Sequence, residues 1–401
     1  DKARARRGPA GRGPKICSPG TPPKTTLHVS KQPLAGTFDD VASAYVWLQQ
    51  QQFPRPNQTI GPGIAALPAQ PCALPMYTNP VLDDNFPDPT VIRAADGLYY
   101  AYGTQTKREG VIINLQVARS RDLVHWEYLG EGLPDKPAWA ATSQKIWAPH
   151  VSEHGGRYFL YYSARPDGAD HLSLAVAVAG SPAGPFVDSG QPLLPGPGFT
   201  CIDPMAFDDP ATGQRLLYWG SGFGPIWVRE LAPDRLSFQP GTEAQAVIHP
   251  SVSDDPDDYH RLVEAAWVHY RDGWYYLFFS GDNCCGAKAH YAVLVARARH
   301  ATGPFETYAA ASANPHTALL AANAHWRAPG HNCLVTDAAG QDWLAYHAID
   351  PRQPTFDAID DSEGYSRRIL LLDKVEYADG WPVVRGNSPS WQPQPAPVGQ
   401  A

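Results

Sequence analysis

A chain of 401 residues, 43% hydrophobic and only 18% charged, is long enough for one large domain or two average ones and can bury a sizeable core. Its net charge of −8 speaks against a nucleic-acid partner, whose footprint would be basic, and no apolar run approaches the roughly 18 residues a membrane span needs. With 19 Tyr, 12 Trp, 41 Pro and 35 Gly, the composition favours many short, turn-bounded elements that carry aromatic planes.

Residues 1–36 are basic and rich in Gly and Pro, and read as an extended arm without a core of its own. Within Phe38 to Phe53, Val41, Ala44, Tyr45 and Leu48 fall on one face and predict a short helix. Polar, proline-bearing sequence follows, so 1–76 is expected to be an accessory arm and 77–401 the main domain. Six cysteines are too few for a disulfide scaffold, and without a CxxC pair a thiolate zinc site is not expected. Cys17 with Cys72 is one candidate pair; the adjacent Cys284 and Cys285 are another. A sequon at Asn57-Gln58-Thr59 fits a secreted protein, the expected location, with any leader absent from this numbering. A monomer is expected.

From residue 80 a pattern recurs. A Gly or Asp-Gly turn leads into an aromatic strand in Asp96-Gly97-Leu98-Tyr99-Tyr100 and again in Gly156-Arg157-Tyr158-Phe159. It returns in Gly213-Gln214-Arg215-Leu216, in Asp272-Gly273-Trp274-Tyr275 and in Gly340-Gln341-Asp342-Trp343. Copies at intervals of roughly 60 residues, each followed by a further strand and turn, point to a repeat of antiparallel sheets. Five copies predict an all-β fold, a five-bladed β-propeller, which closes into a ring and leaves only short edges. A β-sandwich with similar hairpins is the competing reading.

Innermost strands of a propeller face one shared axis, so acids at equivalent phases converge. Asp88, in Asn85-Phe86-Pro87-Asp88-Pro89, Asp203, in Ile202-Asp203-Pro204, and Glu264, in Val263-Glu264-Ala265, each precede a repeat's Gly by nine or ten residues. Asp88 lies between prolines that stiffen its backbone and disfavour right-handed helical geometry. Three acids in one pocket suit glycosidic-bond hydrolysis, in which one carboxylate takes a proton from water and one protonated acid gives a proton to the leaving oxygen. Crowding raises carboxyl pKa values and keeps the acid protonated. For Asp203 and Glu264 the alternative is a salt bridge or a loop cap.

Other residues fit a pocket in the same way. Phe86, Trp147, His150, Trp219 and Arg368 are the candidate substrate-binding residues, Trp147 by stacking on a sugar face. Arg367 or Arg368 would balance the carboxylates. His331 could hold a cation largely through water, orient an acid or serve structure alone.

These motifs together resemble glycoside hydrolase family 43 over about residues 80–385. The carriers are Phe86-Pro87-Asp88-Pro89, Trp147-Ala148-Pro149, Ile202-Asp203-Pro204, Glu264, Gly330-His331-Asn332, Tyr346-His347 and Asp379-Gly380-Trp381-Pro382. The resemblance implies an inverting enzyme with Asp88 as general base, Glu264 as general acid and Asp203 holding Glu264 and raising its pKa. It also implies a calcium ion near the pocket on His331 plus waters, and no organic cofactor. Asn283-Cys284-Cys285-Gly286 and Gly330-His331-Asn332 look like the arabinan-active branch. The chain departs from the family pattern at Ala265-Ala266 and loosely at Gly220 to Pro225. The expected activity is cleavage of α-L-arabinofuranosyl linkages in an oligo- or polysaccharide. A β-xylosidase, a galactofuranosidase and a non-catalytic carbohydrate-binding propeller are the alternatives.

Overall fold

A computed structural model describes residues 75–355 and 366–399. The expected helix within 38–53, the sequon and the Cys17–Cys72 pair lie outside these residues. The described chain forms five antiparallel sheets in succession, a five-bladed β-propeller. Blade one runs through Thr90–Arg93, Tyr99–Gly103, Gln116–Ser120 and Trp126–Glu131. Blade two contains Ile146–His154, Arg157–Ala164, Ser173–Ala179 and Val187–Asp188, with Leu194–Pro195 added at its edge. Blade three contains Met205–Asp208, Arg215–Trp219, Ile226–Glu230 and Gln245–Ile248, and blade four Val263–Arg271, Trp274–Asn283, His290–Ala298 and Glu306–Thr307. Blade five contains Arg327–Thr336, Asp342–Ile349, Arg368–Ala378 and Trp381–Val384. Among the described residues no helix is long and apolar enough to cross a membrane.

The five Gly–aromatic repeats are the second strands, and their composition follows from being covered on both faces. Side chains alternate along a strand, and here each alternate set enters a different interblade layer. Tyr100 and Tyr102 pack with Leu160 and Tyr162 of blade two, while Tyr99 and Ala101 pack with Trp343 and Ala345 of blade five. Phe159 and Tyr161 meet Leu217 and Trp219, and Leu216 and Tyr218 meet Leu277 and Phe279. Tyr276 and Phe278 complete the ring against Leu344 and Tyr346. Large rings fill these layers because adjacent blades splay as they leave the axis.

The ring is closed by its ends. Met76–Tyr77 pairs with Gln394–Pro395, and the buried Asp373 accepts hydrogen bonds from Tyr346 (2.6 Å), Asn79 (3.3 Å) and Gln394 (3.1 Å). Early and late parts of the chain are thereby tied to the inner strands of blade five.

Candidate active site

The first strand of every blade, or the segment leading into it, carries a non-glycine residue in the left-handed region near the axis. These are Asp88 (φ 56°), Ala148 (49°), Asp203 (57°), Ala265 (56°) and His331 (47°), and blade five's strand carries a second, Ala328 (49°). Such backbone costs about 1–3 kcal/mol per residue and persists only where the surroundings fix it. Side chains near the axial end of the preceding blade's second strand do so. Thr104 Oγ1 accepts the Ala148 N–H (2.7 Å), Ser163 Oγ the Asp203 N–H (3.1 Å) and Ser280 Oγ the His331 N–H (2.8 Å). His347 Nδ1 accepts the Asp88 N–H (3.1 Å). At the remaining junction Ser221 donates to the Glu264 carboxylate, and the Ala265 N–H is taken by Asp203. Register shifts follow Trp147, Glu264 and Gly330, as expected of bulges that re-aim side chains.

The three predicted acids are thereby turned into one cavity of about 1140 Å³, together with His331 and Arg368. Asp88 is buried; Oδ1 receives Arg368 at 2.7 Å and Oδ2 receives Thr104 Oγ1 at 2.6 Å. His331 Nδ1 stands 3.4 Å from Asp88 and 3.9 Å from Asp203. Glu264 receives two hydroxyls, Ser221 and Tyr291, the latter at 2.7 Å.

The environments push these acids apart. Burial alone would raise the Asp88 carboxyl, but the Arg368 guanidinium, 2.7 Å away, outweighs it and holds Asp88 well below the usual carboxylate range. Burial, then the charges of Glu264 and Asp88, push Asp203 well above that range. Burial also raises Glu264, against the hydrogen bonds from Ser221 and Tyr291. Asp203 and Glu264 thus act as a pair that retains a proton where Asp88 does not. Burial lowers His331 to about 4 and His347 to about 3, so both are neutral at physiological pH.

Of the other predicted residues, Trp147 and Arg368 line the cavity. Trp147 lies parallel to Phe199, with centroids 6.2 Å apart and 6° between planes. Three expectations are corrected. Phe86 is fully buried beneath Gly103; only its backbone serves the site, donating its N–H to the Arg368 carbonyl at 2.8 Å. His150 is buried against Trp267 and Tyr161. Trp219 packs on Phe238 in the layer between blades two and three. Phe86 and Trp219 point into interblade packing, whereas His150 meets Trp267 of blade four across the axis and is not part of the cavity lining. The adjacent Cys284 and Cys285 are bridged and line the cavity.

Thr104, Ser221, Tyr291 and the exposed Phe199 and Phe223 were not among the expected site residues. A signal for the first two existed, since Thr104, Ser163, Ser221 and Ser280 recur every 58 or 59 residues. For a metal, the donor set is sparse: among the described residues no group of three or more His, Cys, Asp or Glu is arranged to hold one. His331 could therefore only supplement water ligands around an oxygen-preferring ion such as calcium.

Comparison with known proteins agrees with this architecture. The family model for glycosyl hydrolases family 43 matches residues 77–382. An extracellular exo-α-(1→5)-L-arabinofuranosidase of Cellvibrio japonicus is 27% identical over 316 residues, covering 74% of this chain and 85% of that protein. An extracellular endo-α-(1→5)-L-arabinanase of Bacillus subtilis is 27% identical over 307 residues, covering 74% and 86%. Among solved structures, a thermostable family-43 glycoside hydrolase superposes with a TM-score of 0.65 at 25% identity, covering 81% of this chain and all of that one. The Cellvibrio cellulosa α-L-arabinanase bound to arabinohexaose has the same fold, with a TM-score of 0.61 at 24% identity over 76% of this chain and 96% of that one. The matched segment contains all three axial acids and nearly all of the propeller, and the chain belongs to glycosyl hydrolase family 43.

Proposed function

We propose that this glycoside hydrolase cleaves α-1,5-linked L-arabinofuranosyl bonds of arabinan, with inversion at the anomeric carbon. The observation that carries the reading is the electrostatic split within one cavity: Asp88 ionised by Arg368, opposite an Asp203–Glu264 pair that retains a proton. That split supports Asp88 as the base that takes a proton from water and Glu264 as the acid that gives one to the leaving oxygen. Asp203, receiving the Ala265 N–H, would hold the acid's strand and share with Glu264 the proton that the pair retains. Trp147 and Phe199 offer parallel faces on which a sugar chain can stack.

The linkage follows the two arabinan-cleaving relatives, one named exo-acting and one endo-acting. Both are named extracellular, and we place this enzyme outside the cell on the same ground. A mostly hydrated calcium ion on His331 belongs to the same proposal; it would add positive charge near the pocket. Chelator treatment that lowers the melting temperature and activity, both restored by calcium, is the expected result.

Product analysis on linear arabinan, arabinoxylan, xylan and aryl furanosides tests the reading. Arabinose or short arabino-oligosaccharides from linear arabinan are expected, and their ratio separates exo from endo action. Release of xylose alone would overturn it in favour of a xylosidase.

A further inference from the structure

Three cations crowd one sector of the cavity mouth. Lys107, Lys145 and Arg165 all line it and are half-buried. The segments that carry them are tied together: the Arg165 N–H donates to the Lys145 carbonyl (3.2 Å), and the Gln105 N–H to the carbonyl of Ile146 (3.1 Å). Lys145 Nζ stands 5.0 Å from the centre of the Trp147 ring, so this edge borders the aromatic face described above.

Arginines elsewhere around the site have carboxylate partners. Arg108 pairs with Asp84, Arg261 with Asp282, Arg367 with Asp83 and Arg368 with Asp88. Lys107, Lys145 and Arg165 have no carboxylate within ion-pair distance among the described residues. The acids among the described residues of the lining are Asp88, Asp203 and Glu264, which the axial network already engages. Among the described residues this sector is therefore locally positive in a chain of net charge −8, and a concave, partly desolvated surface strengthens its field.

We infer that this edge is a subsite for an anionic group: a carboxylate carried as a substituent on the glycan, next to a sugar stacked on Trp147. Arg165 supplies the planar fork that matches a carboxylate, and the lysines add point charges beside it. The inference rests on the arabinan reading above, and adds to it a preference for chains that bear acidic side groups.

The test compares two preparations of linear arabinan with the same light degree of esterification, one succinylated and one acetylated. Succinyl is both the charged and the bulkier group, so the salt dependence of the ratio is what isolates the charge. For the parent enzyme, kcat/KM on the succinylated chain is expected to exceed that on the acetylated chain by about tenfold at low salt, the ratio falling toward one as ionic strength rises. In the Lys107→Gln, Arg165→Gln double variant the low-salt ratio should drop to about one. Each ratio is taken within one preparation, so a general loss of activity or folding cancels. A parent ratio of one or below, or a ratio the double variant leaves unchanged, overturns the inference. Unmodified linear arabinan runs alongside: if the parent leaves it intact, the arabinan reading itself has failed.

Discussion

The ring of Tyr291 lies nearly parallel to the imidazole of His347, with 5.8 Å between centroids and 11° between planes. The tyrosine hydroxyl reaches Glu264, while His347 receives the Asp88 N–H. One stacked pair therefore spans from the proposed base to the proposed acid. His347 accepts through Nδ1, so its proton sits on Nε2, which has no partner in its buried surroundings. Tyr291 has room because residue 330 is glycine; a Cβ there would lie 2.1 Å from the tyrosine ring.

Removing that hydroxyl should disturb the acid more than the fold. The Tyr291 hydrogen bond lowers the Glu264 pKa, so Tyr291→Phe should raise it and move the basic limb of the kcat profile to higher pH. A loss of about tenfold in kcat at neutral pH, equivalent to roughly 1.4 kcal/mol, is expected for one charge-assisted hydrogen bond. Gly330→Ala should cost more, because it displaces the ring from both Glu264 and His347. Steady-state pH profiles of the two variants, with melting curves as a control for folding, provide the check.

Arg368 is the largest of the influences that hold Asp88 ionised. Arg368→Met should therefore raise the Asp88 pKa and shift the acidic limb of the activity profile to higher pH. Stability should respond with a definite sign. In the parent, the depressed Asp88 pKa gives stability that is present above the unfolded value near 3.9 and lost as pH falls through the folded value. The variant leaves a buried carboxylate without its partner, a loss of about 3–5 kcal/mol at neutral pH. That gap should narrow on acidification, as Asp88 in the variant takes up its proton. Denaturation midpoints measured from pH 7 down to 4 would show a constant gap if the pairing were unimportant.

If Asp88 activates water, Asp88→Asn should lower kcat by about 10²–10⁴-fold in the enzyme that remains folded, beyond the loss of stability from leaving Arg368 without its carboxylate. The same assignment fixes the stereochemistry. Inversion of an α-L-arabinofuranoside releases the β-anomer first, visible by NMR before mutarotation. An α-anomer as first product would mean that a carboxylate attacks the sugar directly, and would remove Asp88 from the role of base.

The fivefold ring was legible because each second strand is covered on both faces, which leaves an unbroken aromatic and aliphatic run after every Gly turn. The acids were legible through phase: Asp88, Asp203 and Glu264 precede their turns by nearly equal distances. Facing was not legible. Phe86, two residues before Asp88, enters the layer between blades five and one, and His150, three after Trp147, lies past the bulge that resets the strand. Ser163, Ser221 and Ser280 carry too little chemistry individually to stand out. Their function appears only once neighbouring blades are in register and each hydroxyl meets the next inner strand.

Trp147 and Trp219 make that distinction measurable. Both were expected to touch substrate, yet Trp147 lines the cavity and Trp219 is buried against Phe238 and Leu217. Trp219→Ala should open a cavity between blades two and three and destabilise the propeller by about 3–5 kcal/mol, while the enzyme that remains folded keeps its KM. Trp147→Ala exposes no comparable void and should leave the melting temperature within a few degrees. Its effect should fall on KM, with a rise of about tenfold for one lost sugar–aromatic stack. A Trp147→Ala variant with parental KM on arabino-oligosaccharides would show that the Trp147–Phe199 pair packs the rim rather than binding the chain.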